Sequence, residues 1–295
     1  MKFKSLSILF FSILFVFNTN ASILDSVKTN KKRVAIVSGS LGLYFTASYL
    51  YVQNAWWGDI SEDFHFDTGN DLVYALNVDK AAHFFGGVYA SDLFSSSYRW
   101  AGVGETRSKW YGAAFGICIQ LAIEFKDAYA PYWGFSKWDL GLGSAGALWP
   151  VLQNYYNPLR ALNFKFSYLK RSNIYWDLEA QRGKNPSKFS WFDDYPNQTY
   201  WMTLDLDKLS NNNSLPKWMD IAVGFGLDDT QYLSGGTKMG GNQELYIALD
   251  YDTNQILKKW NTPLAKKIKF ILKYYKLPAP TIQFFPKINF FPFFM

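Results

Sequence analysis

Cysteine is all but missing from this chain: Cys118 stands alone among 295 residues. No intramolecular disulfide can form, so packing must hold the fold. Histidine is nearly as scarce, with only His65 and His83, which excludes a metal centre built from repeated imidazoles. Neither a phosphate-cradling glycine loop nor a nucleophile motif is present. The net charge of +6 is modest and dispersed, and no nucleic-acid-binding module accompanies it. Its local clusters, Lys28, Lys31, Lys32 and Arg33, then Lys258, Lys259, Lys266, Lys267 and Lys269, suit anionic lipid head groups or lipopolysaccharide phosphates.

Aromatic residues, in contrast, make up 20% of the chain, a proportion that suits membrane-interface belts and cores with wet edges. At the N-terminus, Lys2 and Lys4 precede an uncharged apolar run from Leu6 to Phe17 and a small-residue stretch ending at Ala21. That is the pattern of a cleaved secretion signal over residues 1–21. The run is shorter than the roughly 20 residues a membrane-spanning helix needs. No cysteine stands beside the cleavage site to carry a lipid. The expected address is therefore export to the periplasm or outer envelope with membrane association, and the expected partners are membrane lipids or other envelope proteins.

Residues 34–52 are uncharged and long enough for a spanning helix. Because Lys28 to Arg33 lie directly before them, the positive-inside tendency conflicts with a cleaved signal, and a conventional span is disfavoured. Three more helices are predicted over 79–94, 108–129 and 136–156, with Gly112, Ala113, Ala114, Gly116, Gly141, Gly143, Ser144 and Gly146 permitting close backbone approach. The expected fold is mainly α: a small-residue-rich four-helix bundle of the membrane-associated type over 30–157. A smaller strand-containing α+β region over 158–295 follows it.

In that second region the strand candidates are 162–169, 173–180, 199–206, 218–227 and 243–252. A basic amphipathic helix is predicted over 263–275. The tail TIQFFPKINFFPFFM is apolar enough to require packing. An outer-membrane barrel needs at least eight strands, more than the five or six candidates.

Ionisable residues cluster at the ends of otherwise apolar helices. Asp79 and His83 are four apart and share a helix face; Glu124 and Asp127, three apart, share another. Asp139 follows after a short connection, so the three carboxylates of Glu124, Asp127 and Asp139 can converge with the imidazole. His83 oriented by Asp79 is the candidate acid/base. Glu124, Asp127 and Asp139 are candidate ligands of a divalent metal, with no cofactor required otherwise. Lys80, with Arg99 or Arg107, could bind a phosphate. A purely architectural reading stands beside these: Ser136 and Asp139 have the spacing of a helix cap, Asn77 can cap the helix of Asp79, and His83 can be a satisfied interior imidazole.

The segments DKAAHFFGG (79–87) and EFKDAYAPYWGFSKWDLGLGSAGA (124–147) resemble the YfiM-like family of predicted periplasmic lipoproteins, a domain of unknown function; the likeness covers about residues 75–155. The spacing is similar, more weakly, to VanZ-like membrane proteins. The resemblance implies a shared architecture and a shared site, not a reaction. Two functional readings result. One is a non-catalytic envelope component whose buried cluster holds helices in register. The other is an envelope hydrolase or transferase acting on a phosphorylated or lipid-linked substrate through His83 and the carboxylates.

Overall fold

The structure, a computed structural model, describes residues 29–55, 62–131, 133–182, 192–209 and 216–295. The expected secretion signal lies outside the described residues. Four helices come first: α1 (Lys31–Ala55), α2 (Val78–Trp100), α3 (Glu105–Asp127) and α4 (Lys137–Tyr155). α2, α3 and α4 form a close layer because glycines remove the side chains that would separate their backbones. A Cβ on Gly146 would stand 2.0 Å from the Phe84 carbonyl oxygen, and one on Gly112 would stand 2.2 Å from that of Ser91. α1 joins through its first half, where Val37 and Leu41 pack with Phe94, Tyr98 and Ala101.

The second half supplies β1 (Leu162–Tyr168), α5 (Ile174–Gln181), β2 (Gln198–Asp205), β3 (Met219–Leu227), β4 (Gln231–Ser234), β5 (Thr237–Gly240), β6 (Gln243–Tyr251), α6 (Pro263–Tyr274), β7 (Ala279–Phe285) and β8 (Asn289–Phe294). Six strands make one antiparallel sheet in the order β1-β2-β3-β6-β7-β8, and β4 and β5 form a separate hairpin.

Side chains alternate between the faces of a strand, and the register sorts them here by polarity. Phe164, Met202, Val223, Ile247, Ile282 and Phe290 lie directly opposite one another in sequence across all six strands. They form a wholly apolar rung on one face. The next rung, on the other face, reads Lys165, Trp201, Gly224, Tyr246, Gln283 and Asn289. That second face is the covered one. Trp201, Ala222, Tyr246, Ala248 and Phe294 pack together there, and Lys165 lies 2.6 Å from Asp250 within the same enclosure. On the apolar face the helical layer covers β1, with Phe84 4.7 Å and Trp149 5.3 Å from Phe164 between ring centroids. Met202, Val223, Ile247, Ile282 and Phe290 remain exposed.

The expectation of a mainly α four-helix bundle with a small strand annex is overturned: the fold is mixed α+β, with eight strands among the described residues in addition to the helices. The reason lies in the tail. TIQFFPKINFFPFFM, broken by prolines in sequence, forms most of β7 and β8, because those prolines fall at a turn and on an edge strand where no ladder donor is needed. Residues 173–180, predicted as a strand, fold as α5. Among the described residues no helix is long and apolar enough to cross a membrane.

Candidate functional site

The helical cluster begins with a strained turn. Ala75, Leu76 and Asn77 hold φ values of 49°, 46° and 69° in succession, a left-handed run that costs on the order of 1 to 2 kcal/mol per side-chain-bearing residue. α2 starts immediately after it, so Asp79 and Lys80 occupy its buried first turn. Asn77 makes no side-chain cap. At α4, Ser136 does cap: its Oγ accepts from the Asp139 N–H at 3.0 Å. The Ser136 N–H donates to Glu124 Oε2 at 2.9 Å, joining the end of α3 to the start of α4.

Lys80 sits at the centre. Its ammonium, almost wholly buried, lies 3.2 Å from Asp79 Oδ2 and 3.1 Å from Asp139 Oδ1, and also ion-pairs with Asp71. Asp71 in turn accepts from Ser136 Oγ at 2.6 Å. From the strand half, Tyr195 donates to Asp79 Oδ1 at 2.5 Å. His83 stands 3.8 Å from Asp79 Oδ1 through Nε2. Its Nδ1 is 2.8 Å from Gln120 Oε1 and 3.9 Å from Glu124 Oε1. Glu124, 1% exposed, leaves that Oε1 without a hydrogen bond.

Burial and charge divide the protons. Burial would lower the His83 imidazole, but Asp79, Asp139 and Glu124 together outweigh it and hold it up at about 9. Burial pushes Glu124 up to about 8, with Asp127 and Asp139 adding to the effect. Burial, then the neighbouring Asp79 charge, lifts Asp139 to about 7. Asp79 moves the other way despite burial, because His83 and Lys80 stabilise its carboxylate. One carboxylate thus stays ionised between two cations while its neighbours compete for protons near neutrality.

Ligand atoms of Asp79, His83 and Asp139 lie within 4.8 Å of one another, as a metal would require. A divalent ion there would, however, share its carboxylates with the Lys80 ammonium, a like charge already bridging Asp79 and Asp139. The residues as placed fit an internal cation better than an added one. The sequence-predicted metal set of Glu124, Asp127 and Asp139 is not the set that converges; half-buried Asp127, on the last turn of α3, contributes its charge to Glu124.

The predicted phosphate-binding trio is also dispersed. Lys80 is in the cluster, but Arg99 lies near the opposite end of α2, roughly 28 Å along the helix at 1.5 Å per residue. There it donates to Ser96 Oγ at 3.0 Å. Arg107 is exposed in the first turn of α3. Asp71, Tyr195 and Gln120 belong to the cluster although none was anticipated. Gln120 precedes Glu124 by four on one helix, so helical spacing could have found it; Asp71 and Tyr195 arrive through tertiary contacts that no local pattern encodes.

No family model, no curated protein and no solved structure matches the chain.

Proposed function

We propose that this chain is a membrane-associated, exported envelope component of structural or binding type, in which the Lys80 cluster is an internal tie rather than a reaction centre. The observation that carries this is the position of the Lys80 ammonium. It occupies the point where Asp71, Asp79 and Asp139 converge, so the strongest electrostatic site in the cluster is filled by the protein itself. Tyr195 extends the tie to the strand half. Export rests on the N-terminal pattern, and membrane association rests on the large apolar residues left exposed, such as Trp110, Phe125, Ile247 and Phe290. The YfiM-like resemblance adds a shared arrangement of Asp79, His83, Glu124, Asp127 and Asp139 and no reaction.

The test is thermal unfolding of the purified chain and its Lys80→Met variant, each with and without a chelator. Removing the ammonium leaves buried carboxylates uncompensated, which typically costs about 3 to 5 kcal/mol, so the variant should melt well below the parent while chelator changes neither. An unchanged midpoint in Lys80→Met would overturn the structural assignment. A chelator-sensitive parent would replace it with a metal site.

One observation favours a second reading, an envelope hydrolase or transferase working on a phosphorylated or lipid-linked substrate. His83, Glu124 and Asp139 hold their protons at about 9, 8 and 7, values suited to acid/base exchange near neutrality. Turnover of such a substrate that is lost in His83→Gln, while the melting midpoint is kept, would establish this reading over the first.

A further inference from the structure

We infer that the uncovered apolar face of β3, β6, β7 and β8 is a lipid-contacting surface that inserts into one leaflet of a bilayer. The inference rests on the membrane association proposed above and names the surface responsible. In a water-facing antiparallel sheet the core face is apolar and the solvated face polar. Here the open face is the wholly apolar one, and the enclosed face mixes an aromatic cluster with buried charge. The enclosed face buries Lys165, Glu244, Asp250 and Lys276 and a directly opposed row of Asp205, Asp220 and Asp250. The open face presents Val223, Ile247, Ile282 and Phe290 in one rung and Ile221 with Leu249 in the next. Ile247 is 50% and Phe290 65% exposed. Such an arrangement suits hydrocarbon outside and polar groups within.

The protein's own helices use the same face where it is covered, packing Phe84 and Trp149 on Phe164. Charge and aromatic placement at one end of the sheet select a lipid as the remaining occupant. Met219 of β3 is opposite Tyr251 of β6, and beside them the Trp218 ring stacks on Tyr251 at 6.0 Å. The chain continues through exposed Ile256, Lys258, Lys259 and Trp260. Aromatic rings with lysines among them are the composition of a head-group boundary, and the lysines complement anionic lipid. The uncovered rungs extend roughly 7 to 14 Å along the strands at ~3.4 Å per residue, well short of the ~30 Å hydrocarbon core. Insertion into a single leaflet is the depth they match.

The experiment is flotation of the full chain with vesicles of phosphatidylcholine alone and of phosphatidylcholine with phosphatidylglycerol. The parent should float with both and better with the anionic mixture. Val223→Lys with Ile247→Lys, a directly opposed and exposed pair, should lower partitioning roughly tenfold or more with the melting midpoint retained. Lys258→Glu with Lys259→Glu should remove only the anionic preference. If the first pair fails to fold, Ile221→Ser with Leu249→Ser reads the adjacent rung. A parent that floats while both rung variants float equally well would overturn this surface and leave membrane association standing. A parent that floats with neither vesicle would overturn the association itself. A parent that instead dimerises through this face, and is made monomeric by the rung variants, would assign the face to a second copy of the chain.

Discussion

Three groups in the Lys80 cluster share the same direction of proton affinity, and that sets a sign for stability against pH. Glu124 rises from 4.5 to about 8, Asp139 from 3.8 to about 7 and His83 from 6.5 to about 9. A group whose folded value is raised gives stability that is complete below its unfolded value and is lost as pH climbs through the folded one. All three therefore lose stability in one direction, across a window from about pH 4 to about pH 9. Asp79, held low, acts only at the acid edge of that window. The expected result is a melting midpoint that falls as buffers are taken from mildly acidic to alkaline. Glu124→Gln should flatten the fall between about pH 4.5 and 8, because a neutral amide has no proton to lose; identical slopes in parent and variant would show that Glu124 does not titrate as described.

At the scale of the elements, glycine placement makes opposite predictions for two residues of one helix. Gly146→Ala drives a methyl into the Phe84 carbonyl, which a Cβ would meet at 2.0 Å, so α2 and α4 must separate at a cost of about 1 to 3 kcal/mol. Gly141→Ala meets nothing within 4 Å and should gain about 0.5 to 1 kcal/mol from restricting the unfolded chain. Urea midpoints of the two variants should fall on either side of the parent. The small-residue spacing that permits this contact is legible in the sequence, as are β1, β2, β3 and β6, whose β-branched and aromatic alternation has period two. α5 is not legible. NIYWDLEA has the composition of a strand, yet it folds as a helix, with Tyr175 and Leu178 buried on one side and Asn197 pairing with the backbone of Ser172 just before it. β7 and β8 are hidden for a different reason: their strand identity depends on β7 pairing with β6 and β8 with β7, contacts that residue spacing does not reveal. The cluster is half legible: Asp79 with His83 and Glu124 follow from helical spacing and Asp139 from the short connection before its helix, while the spacing points Lys80 toward a phosphate and gives no sign of Tyr195.

Across the whole molecule, α2 is tied to the strand half at two points, each by a tyrosine on a buried aspartate. Tyr195 donates to Asp79 at 2.5 Å near the start of the helix. Tyr274, at the end of α6, donates to Asp92 at 2.6 Å further along, where Lys109 and Lys273 also ion-pair with it. The two ties are unequal. Removing the Tyr195 hydroxyl leaves Asp79 Oδ1 with only His83, at 3.8 Å, and an under-satisfied buried carboxylate costs about 1 to 3 kcal/mol. Asp92 keeps two ammonium partners when Tyr274 becomes Phe, so that loss should lie at the low end of the same range. Asp79 and Asp92 are 13 positions apart on α2, or about 20 Å at 1.5 Å per residue, beyond the distance at which separate substitutions interact. The double variant Tyr195→Phe with Tyr274→Phe should therefore unfold with a loss equal to the sum of the single losses, to within about 0.5 kcal/mol. A coupling well above that in chemical denaturation would mean that the two halves part as a unit once both tyrosines are gone. The helical layer and the sheet would then be held together chiefly by these two buried aspartates, and the aromatic contacts of Phe84 and Trp149 with Phe164 would not suffice.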